Sequence, residues 1–206
     1  MHKKLNNGLT FCLIGNICFV IFCIICLAYY KFFAGKGIII RSFEAAAYFF
    51  EAAGFIAMLA GIILISVSMR MRTWIKLTFP VYIIAELVLM ILELNSYRFE
   101  FYHPYSLLLA ICHAVLSAAV CFTFISLDSG KKCLEITIII AVGIMLAGML
   151  GNIIGYRIYF SILTNAVAYI FLFAAVKWML SREMIEIDCH GDKARVVEYR
   201  SEFFGK

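Results

Sequence analysis

The chain has 206 residues, of which 65% are hydrophobic and 15% charged, and its formal net charge is +5 at pH 7. A water-soluble domain of this size could not bury so much apolar surface, so the composition excludes an ordinary soluble globular protein. The basic residues stand singly or in pairs, and no Gly-rich phosphate loop follows a strand, which argues against a nucleic-acid partner and a nucleotide-binding domain.

Apolar runs of about 20 residues, the length that crosses ~30 Å of hydrocarbon at ~1.5 Å per residue, follow one another along the chain. The runs are continuously apolar rather than alternating, which indicates helices and not barrel strands. We therefore predict an all-α integral membrane protein, a polytopic bundle of about six transmembrane helices within residues 1–180. The predicted spans are residues 9–30, 45–69, 74–94, 104–127, 134–154 and 159–180.

The first predicted span follows Lys3 and Lys4, as the apolar core of a secretory signal would. Its apolar run exceeds the ~7–15 residues of a signal, and no small-residue cleavage pattern ends it, so we predict an uncleaved helix. Four cysteines lie on this span at spacings that match no usual structural zinc site. We expect them to act as small hydrophobes and predict no metal site and no cofactor.

The third span carries the costliest polar residues. Glu86 lies within ~3–5 Å of helix rise from the predicted bilayer midplane, where an isolated carboxylate is very unfavourable. Glu93 is two turns further and returns to nearly the same face. Pro80 removes one backbone hydrogen bond in the turn before Glu86 and is expected to kink the helix.

Other spans carry polar groups at comparable depth. Because a charge facing lipid is expensive, we expect these side chains to point inward and to line an acidic cavity that opens to the outer face. Such a cavity would accept a proton, a cation or an amine-bearing solute. The alternative is that the same groups only hold helices together through interhelical hydrogen bonds. The candidate ligand- or ion-binding residues are Glu51, Glu86, Glu93, His113 and Asn165.

The fifth span repeats small residues at intervals of four, which predicts a helix-packing seam along one face. The seam consists of Gly143, Ala147, Gly151 and Gly155. Within a compact bundle such a seam joins neighbouring helices of one chain, and small residues on the second and fourth spans are the expected partners. A homodimer surface is the alternative.

Residues 181–206 lack the continuous apolar run of the spans. We predict that they form a short cytoplasmic tail. Two partly alternating runs flank Gly191, which is typical of a small β-hairpin. Cys189 and His190 are adjacent in the tail, but two ligands without others nearby do not indicate a metal site.

The orientation follows from Lys and Arg near the span ends. More basic residues lie inside than outside when both termini are placed in the cytoplasm, so we predict that orientation. We predict a multi-pass protein of a bacterial cytoplasmic membrane. The inner set is Lys3, Lys4, Arg70, Arg72, Lys76, Lys131, Lys132, Lys177 and Arg182. The outer set is Lys31, Lys36, Arg41, Arg98 and Arg157.

Three functions remain open from the sequence. The favoured function is a component that transports a solute or binds a solute or an ion. Its expected partners are the lipid bilayer and a second membrane subunit. The second is a non-catalytic membrane sensor or assembly protein that acts through helix packing or its cytoplasmic tail. The third is an intramembrane hydrolase that uses Glu51, Glu86 and His113, although no metalloprotease or Cys/His signature is present in the sequence.

Overall fold

The computed structural model describes residues 3–32, 41–69, 132–153 and 158–182, together with residues 78, 80–82, 84–85, 87–88, 91, 111–112 and 115–121. Within these residues the architecture is all-helical and comprises six helices. Helices α3 and α4 contain the helical residues described within 78–91 and 111–121, respectively. The other four are α1 Lys3–Phe32, α2 Arg41–Ser68, α5 Lys132–Ile153 and α6 Ile158–Ser181.

Four of these helices are long and apolar enough to span a membrane. The shortest, α5, has 22 residues and therefore extends over ~33 Å, which exceeds the ~30 Å of a hydrocarbon core. The apolar stretches are Lys3–Tyr29, Ala45–Ser68, Lys132–Gly151 and Phe160–Ser181. They overlap the first, second, fifth and sixth predicted spans, and their composition indicates a membrane protein.

Helix α1 begins at Lys3, six residues before the predicted start of the first span at residue 9. Hydropathy marks only where the chain becomes apolar, whereas a helix tolerates polar residues such as Asn6 and Asn7 in its first turns. The predicted third and fourth spans are described only at some residues. The predicted hairpin in the tail lies outside the described residues.

Helix α1 packs against both α2 and α6, and α5 packs against α6. A large cluster of buried side chains draws residues from all six helices, including Leu9 of α1, Ile62 of α2 and Phe173 of α6. A smaller cluster is centred on Phe22, Cys23 and Ala47 and includes the start of α6. Helix α1 therefore contributes to the core along most of its length.

Four glycines bring α1 and α2 into backbone contact. A Cβ atom on Gly8 would lie 2.9 Å from the Gly61 oxygen, and one on Gly15 would lie 2.7 Å from the Gly54 oxygen. The two pairs run in opposite directions along the helices, since Gly8 meets Gly61 and Gly15 meets Gly54. The helices are therefore antiparallel, and only glycine permits this approach at either level.

Helices α5 and α6 approach each other at Gly148. A Cβ atom there would overlap the side chain of Thr164, whose hydroxyl donates to the Phe160 and Ser161 carbonyl oxygens at 3.0 Å and 2.9 Å. Thr164 is therefore held against α6 by its own hydrogen bonds, and the space beside it requires a residue without a side chain.

The helices present large apolar side chains on their outer faces as well as inside. On α5, Ile136, Ile139 and Leu150 are each more than half exposed, and Ile56 and Val67 of α2 are similar. A contiguous apolar exterior of this kind is unstable in water and fits a lipid surrounding.

Candidate functional site

Helix α6 carries three polar side chains at intervals of four residues, Ser161, Asn165 and Tyr169. They are only 2%, 8% and 3% exposed, respectively. Val167, Phe171 and Trp178, by contrast, are exposed and occupy the opposite face of the helix. The row formed by Ser161, Asn165 and Tyr169, called here the α6 polar row, therefore faces the interior of the bundle.

Two atoms of the α6 polar row are buried without a hydrogen bond in the part of the chain that the structure describes. They are Ser161 Oγ and Asn165 Oδ1. A buried polar atom without a partner costs about 1–3 kcal/mol, and buried polar atoms in native proteins are nearly always paired with protein, water or a ligand. Ser161 Oγ and Asn165 Oδ1 are therefore the candidate binding atoms among the described residues.

Asn16 of α1 provides the contrast. It is 2% exposed, but its Nδ2 donates to the Cys12 oxygen at 2.8 Å and approaches Met58 Sδ of α2 at 3.3 Å. The amide nitrogen of this buried asparagine thus has partners within α1 and across to α2. Asn16 therefore has a structural role, because it joins α1 to α2. The Asn165 oxygen has no comparable hydrogen bond among the described residues.

The third member of the row, Tyr169, is fixed by an aromatic neighbour. Its ring stacks on that of Phe173, with centroids 5.5 Å apart and planes inclined by 8°. Phe173 is fully buried in the large core cluster. The Tyr169 end of the row therefore belongs to the large core cluster, while the Ser161 end lies beside Ile162 and Leu163 at the smaller cluster.

The structure places two of the five predicted ligand residues. Asn165 belongs to the α6 polar row, and Glu51 lies on α2, partly buried and directly after Phe50, which packs against the smaller cluster. Both therefore lie towards the same end of the bundle. Glu86, Glu93 and His113 lie outside the described residues, so of the three residues expected for a hydrolase only Glu51 is described.

The predicted seam on the fifth span is divided between two faces. A Cβ atom on Gly143 would meet no described residue within 4 Å, and Ala147 is exposed, whereas Gly151 is buried. Gly155 lies outside the described residues. A step of four residues rotates ~40° around a helix with 3.6 residues per turn, so four such positions drift across ~120°. The contact with α6 is made at Gly148, which the four-residue pattern omits, and Gly61 of α2 faces α1.

Sequence reasoning identified Asn165 but not Ser161 or Tyr169. The signal was present, because residues four positions before and after Asn165 share its helix face. Serine and tyrosine are common in membrane helices and cost less to bury than a carboxylate, so their polarity alone does not single them out.

The described residues form no recognisable metal-binding site. Among the described residues no group of three or more His, Cys, Asp or Glu side chains is placed to hold a metal ion. The described cysteines, including the buried Cys12, Cys23 and Cys121, form no disulfide bond with one another.

Comparison with known proteins adds no assignment: no family model matches the chain, and neither a curated protein nor a solved structure is significantly similar to it.

Proposed function

We propose that the chain is a small multi-pass membrane protein that binds a small polar solute or an ion inside its helix bundle, as a transport or solute-binding component. The observation that carries the proposal is the pair of buried oxygens on α6 that have no hydrogen bond within the described chain, Ser161 Oγ and Asn165 Oδ1. Both atoms lie on the buried face of α6, and no hydrogen bond with a described residue explains them as helix contacts. Intramembrane polar groups that face the protein interior commonly mark a substrate or ion pathway.

Ser161 Oγ and Asn165 Oδ1 can both accept hydrogen bonds, which favours a ligand that donates them. The Asn165 oxygen can only accept, and a hydroxyl can do either. An ammonium group, whose N–H groups are all donors, satisfies both atoms. Glu51 lies towards the same end of the bundle, and Glu86, Glu93 and His113 are proposed to join it in an acidic cavity open to the outer face, which would select a cation, a protonated amine or a proton.

The proposed setting is a bacterial cytoplasmic membrane with both termini in the cytoplasm. The exposed Lys3, Lys4, Lys132 and Arg182 support it, because they lie at the start of α1, the start of α5 and the end of α6. Basic residues concentrate at the cytoplasmic ends of membrane helices.

Ligand-induced stabilisation of the purified full-length protein tests the proposal. We expect ammonium, ethylamine or ethanolamine chloride, compared with sodium chloride at equal ionic strength, to raise the unfolding temperature of the wild type. A ligand at ten times its Kd stabilises by about 1.4 kcal/mol. The Asn165→Ala variant should lose this response.

The matched control is Asn16→Ala, which removes the other buried asparagine. It should unfold at a lower temperature, because Asn16 joins two helices, yet keep the wild-type response to the amine. If no probe shifts the wild type, or if Asn165→Ala responds as the wild type does, the proposal is wrong.

A role in assembly is the second candidate, favoured by the outer face of α5. The open position at Gly143 and the exposed Ala147 would let a helix of a partner subunit approach closely. Gly143→Leu would then abolish co-purification of a membrane partner without changing the unfolding temperature. Co-purification of the same partner with the variant would contradict this role.

A further inference from the structure

Lys177 of α6 reaches across to α1. Its Nζ donates to Thr10 Oγ1 at 2.7 Å, and both residues are half-buried. The Thr10 hydroxyl donates in turn to the Asn6 carbonyl oxygen at 2.8 Å. Because the hydroxyl proton is used in this way, the Thr10 oxygen presents its lone pairs to the ammonium and fixes its position.

The Lys177 ammonium has one neutral partner and no counter-ion within the described part of the chain. An ammonium carries three N–H donors, so two are left for another acceptor. Lys177 lies within the apolar stretch Phe160–Ser181, four residues and therefore ~6 Å of rise before its end. At that depth a lysine reaches the level of lipid headgroups, where an uncompensated positive charge attracts an anion.

The surroundings of Lys177 are also positive. Lys3, Lys4, Lys132 and Arg182 are exposed at the same end of the bundle. The acidic side chain described at that end is Glu135, in the first turn of α5. Among the described residues, several cations at this end are therefore opposed by one exposed carboxylate, an arrangement that favours anion binding.

We propose that Lys177 and Thr10 form a phosphate-binding site between α1 and α6. Lys177 contacts the phosphate oxygens through its two remaining N–H groups, and Thr10 is a positioning residue. The phosphate comes from the headgroup of an anionic phospholipid or from free phosphate, both of which present the same acceptor oxygens. The site lies at the opposite end of α6 from Ser161 and is independent of the proposed solute site.

Titration of the purified full-length protein in neutral detergent tests the site. Phosphatidylglycerol, phosphatidylcholine and inorganic phosphate are the three probes, the last compared with chloride at equal ionic strength, and the unfolding temperature is the readout. We expect phosphatidylglycerol to raise it at concentrations where phosphatidylcholine does not. Lys177→Met should weaken this effect about tenfold or more, since a charge-assisted hydrogen bond is lost.

Three further variants distinguish a specific phosphate site at Lys177 from nonspecific attraction of anions to the basic end of the bundle. Lys177→Arg keeps the charge and should retain binding, and Thr10→Val should weaken it less than Lys177→Met does. Lys132→Met removes an exposed charge at the same end and should leave binding within about twofold of the wild type, because exposed charges are screened.

The outcomes assign the source or reject the site. A response to phosphatidylglycerol alone that depends on Lys177 identifies lipid, and a Lys177-dependent response to inorganic phosphate identifies the free anion. Equal losses in Lys132→Met and Lys177→Met, or no response that depends on Lys177, would overturn the proposal.

Discussion

Asn16 and Asn165 show how much the surroundings of one residue type decide its role. Both are buried on helices of the same bundle, but the Asn16 amide donates to Cys12 and Met58, while the Asn165 oxygen has no hydrogen bond within the described chain. Interhelical hydrogen bonds in membranes contribute only about 0.6–2 kcal/mol. The Asn165 oxygen lacks even this gain among the described residues, which is why we propose that a ligand supplies its hydrogen bond.

Gly148 and Gly143 offer a test at the same scale, because they lie on one helix and differ in what surrounds them. Gly148→Ala should lower the free energy of unfolding by about 1–3 kcal/mol, since the new methyl group overlaps Thr164. Gly143→Ala meets open space and should be neutral or stabilising by up to ~1 kcal/mol. Unfolding of the purified protein in mixed micelles measures both.

A second substitution identifies the cause of the loss. Thr164→Ala removes the overlapping hydroxyl and should recover part of the stability lost in Gly148→Ala. Equal stability of the two glycine variants would show that α5 and α6 do not approach as described.

Helices α1 and α2 form the closest pair in the described structure. The atoms that a side chain at Gly15 would meet include the Gly54 oxygen and the Met58 nitrogen, at 2.7 Å and 2.8 Å, and backbone atoms cannot rotate away. A larger residue must therefore separate the helices rather than repack a side chain. The antiparallel pair α1–α2 consequently does not tolerate a larger residue at Gly15.

Gly15→Leu should therefore destabilise the protein by about 3 kcal/mol, at the upper end of what overpacking costs. Gly143→Leu makes the same change at an open position and should stay within ~0.5 kcal/mol of the wild type. The measurement is again unfolding in mixed micelles, with helical content followed by circular dichroism. A Gly15→Leu protein as stable as the control would rule out the close contact.

Hydropathy predicted the positions of four long helices because the cost of exposing backbone in lipid requires continuous apolar runs. It could not predict which faces meet. The contact of α5 is made at Gly148 because this glycine lies opposite the bulky Thr164, whereas Ala147, which the four-residue spacing favoured, is exposed. Asn165 was predicted as a site residue because polarity inside a span is visible in sequence. That its oxygen has no partner among the described residues is visible only in three dimensions.

At the scale of the whole molecule, the contact between Thr10 and Lys177 brings the start of α1 and the end of α6 to the same end of the bundle. Lys4 near the start of α1 and Arg182 at the end of α6 therefore lie at one end of the described bundle. The basic residues concentrated there are the reason that we propose this end to be cytoplasmic.

Cysteine labelling tests this arrangement in a variant whose native cysteines are replaced. With a membrane-impermeant maleimide, Lys31→Cys should be labelled in intact cells, whereas Lys4→Cys and Arg182→Cys should be labelled only after permeabilisation. Labelling of Lys4→Cys and Arg182→Cys from opposite sides would contradict the fold. Labelling of both from outside would contradict the proposed orientation.

We propose that the α6 polar row lines a space that a polar solute reaches from outside. The most direct test is the reaction of single cysteines with a small hydrophilic methanethiosulfonate bearing an ammonium group, in intact cells and in the same cysteine-free background. Thiols react as thiolates and therefore need water, so a cysteine in lipid stays unreactive.

We predict that Asn165→Cys and Ser161→Cys react with reagent added outside, and that an amine which stabilises the protein slows the reaction. Val167→Cys, on the exposed apolar face of α6, should not react. If Asn165→Cys is as unreactive as Val167→Cys, or reacts only from the cytoplasmic side, the α6 polar row does not line an outward-opening site.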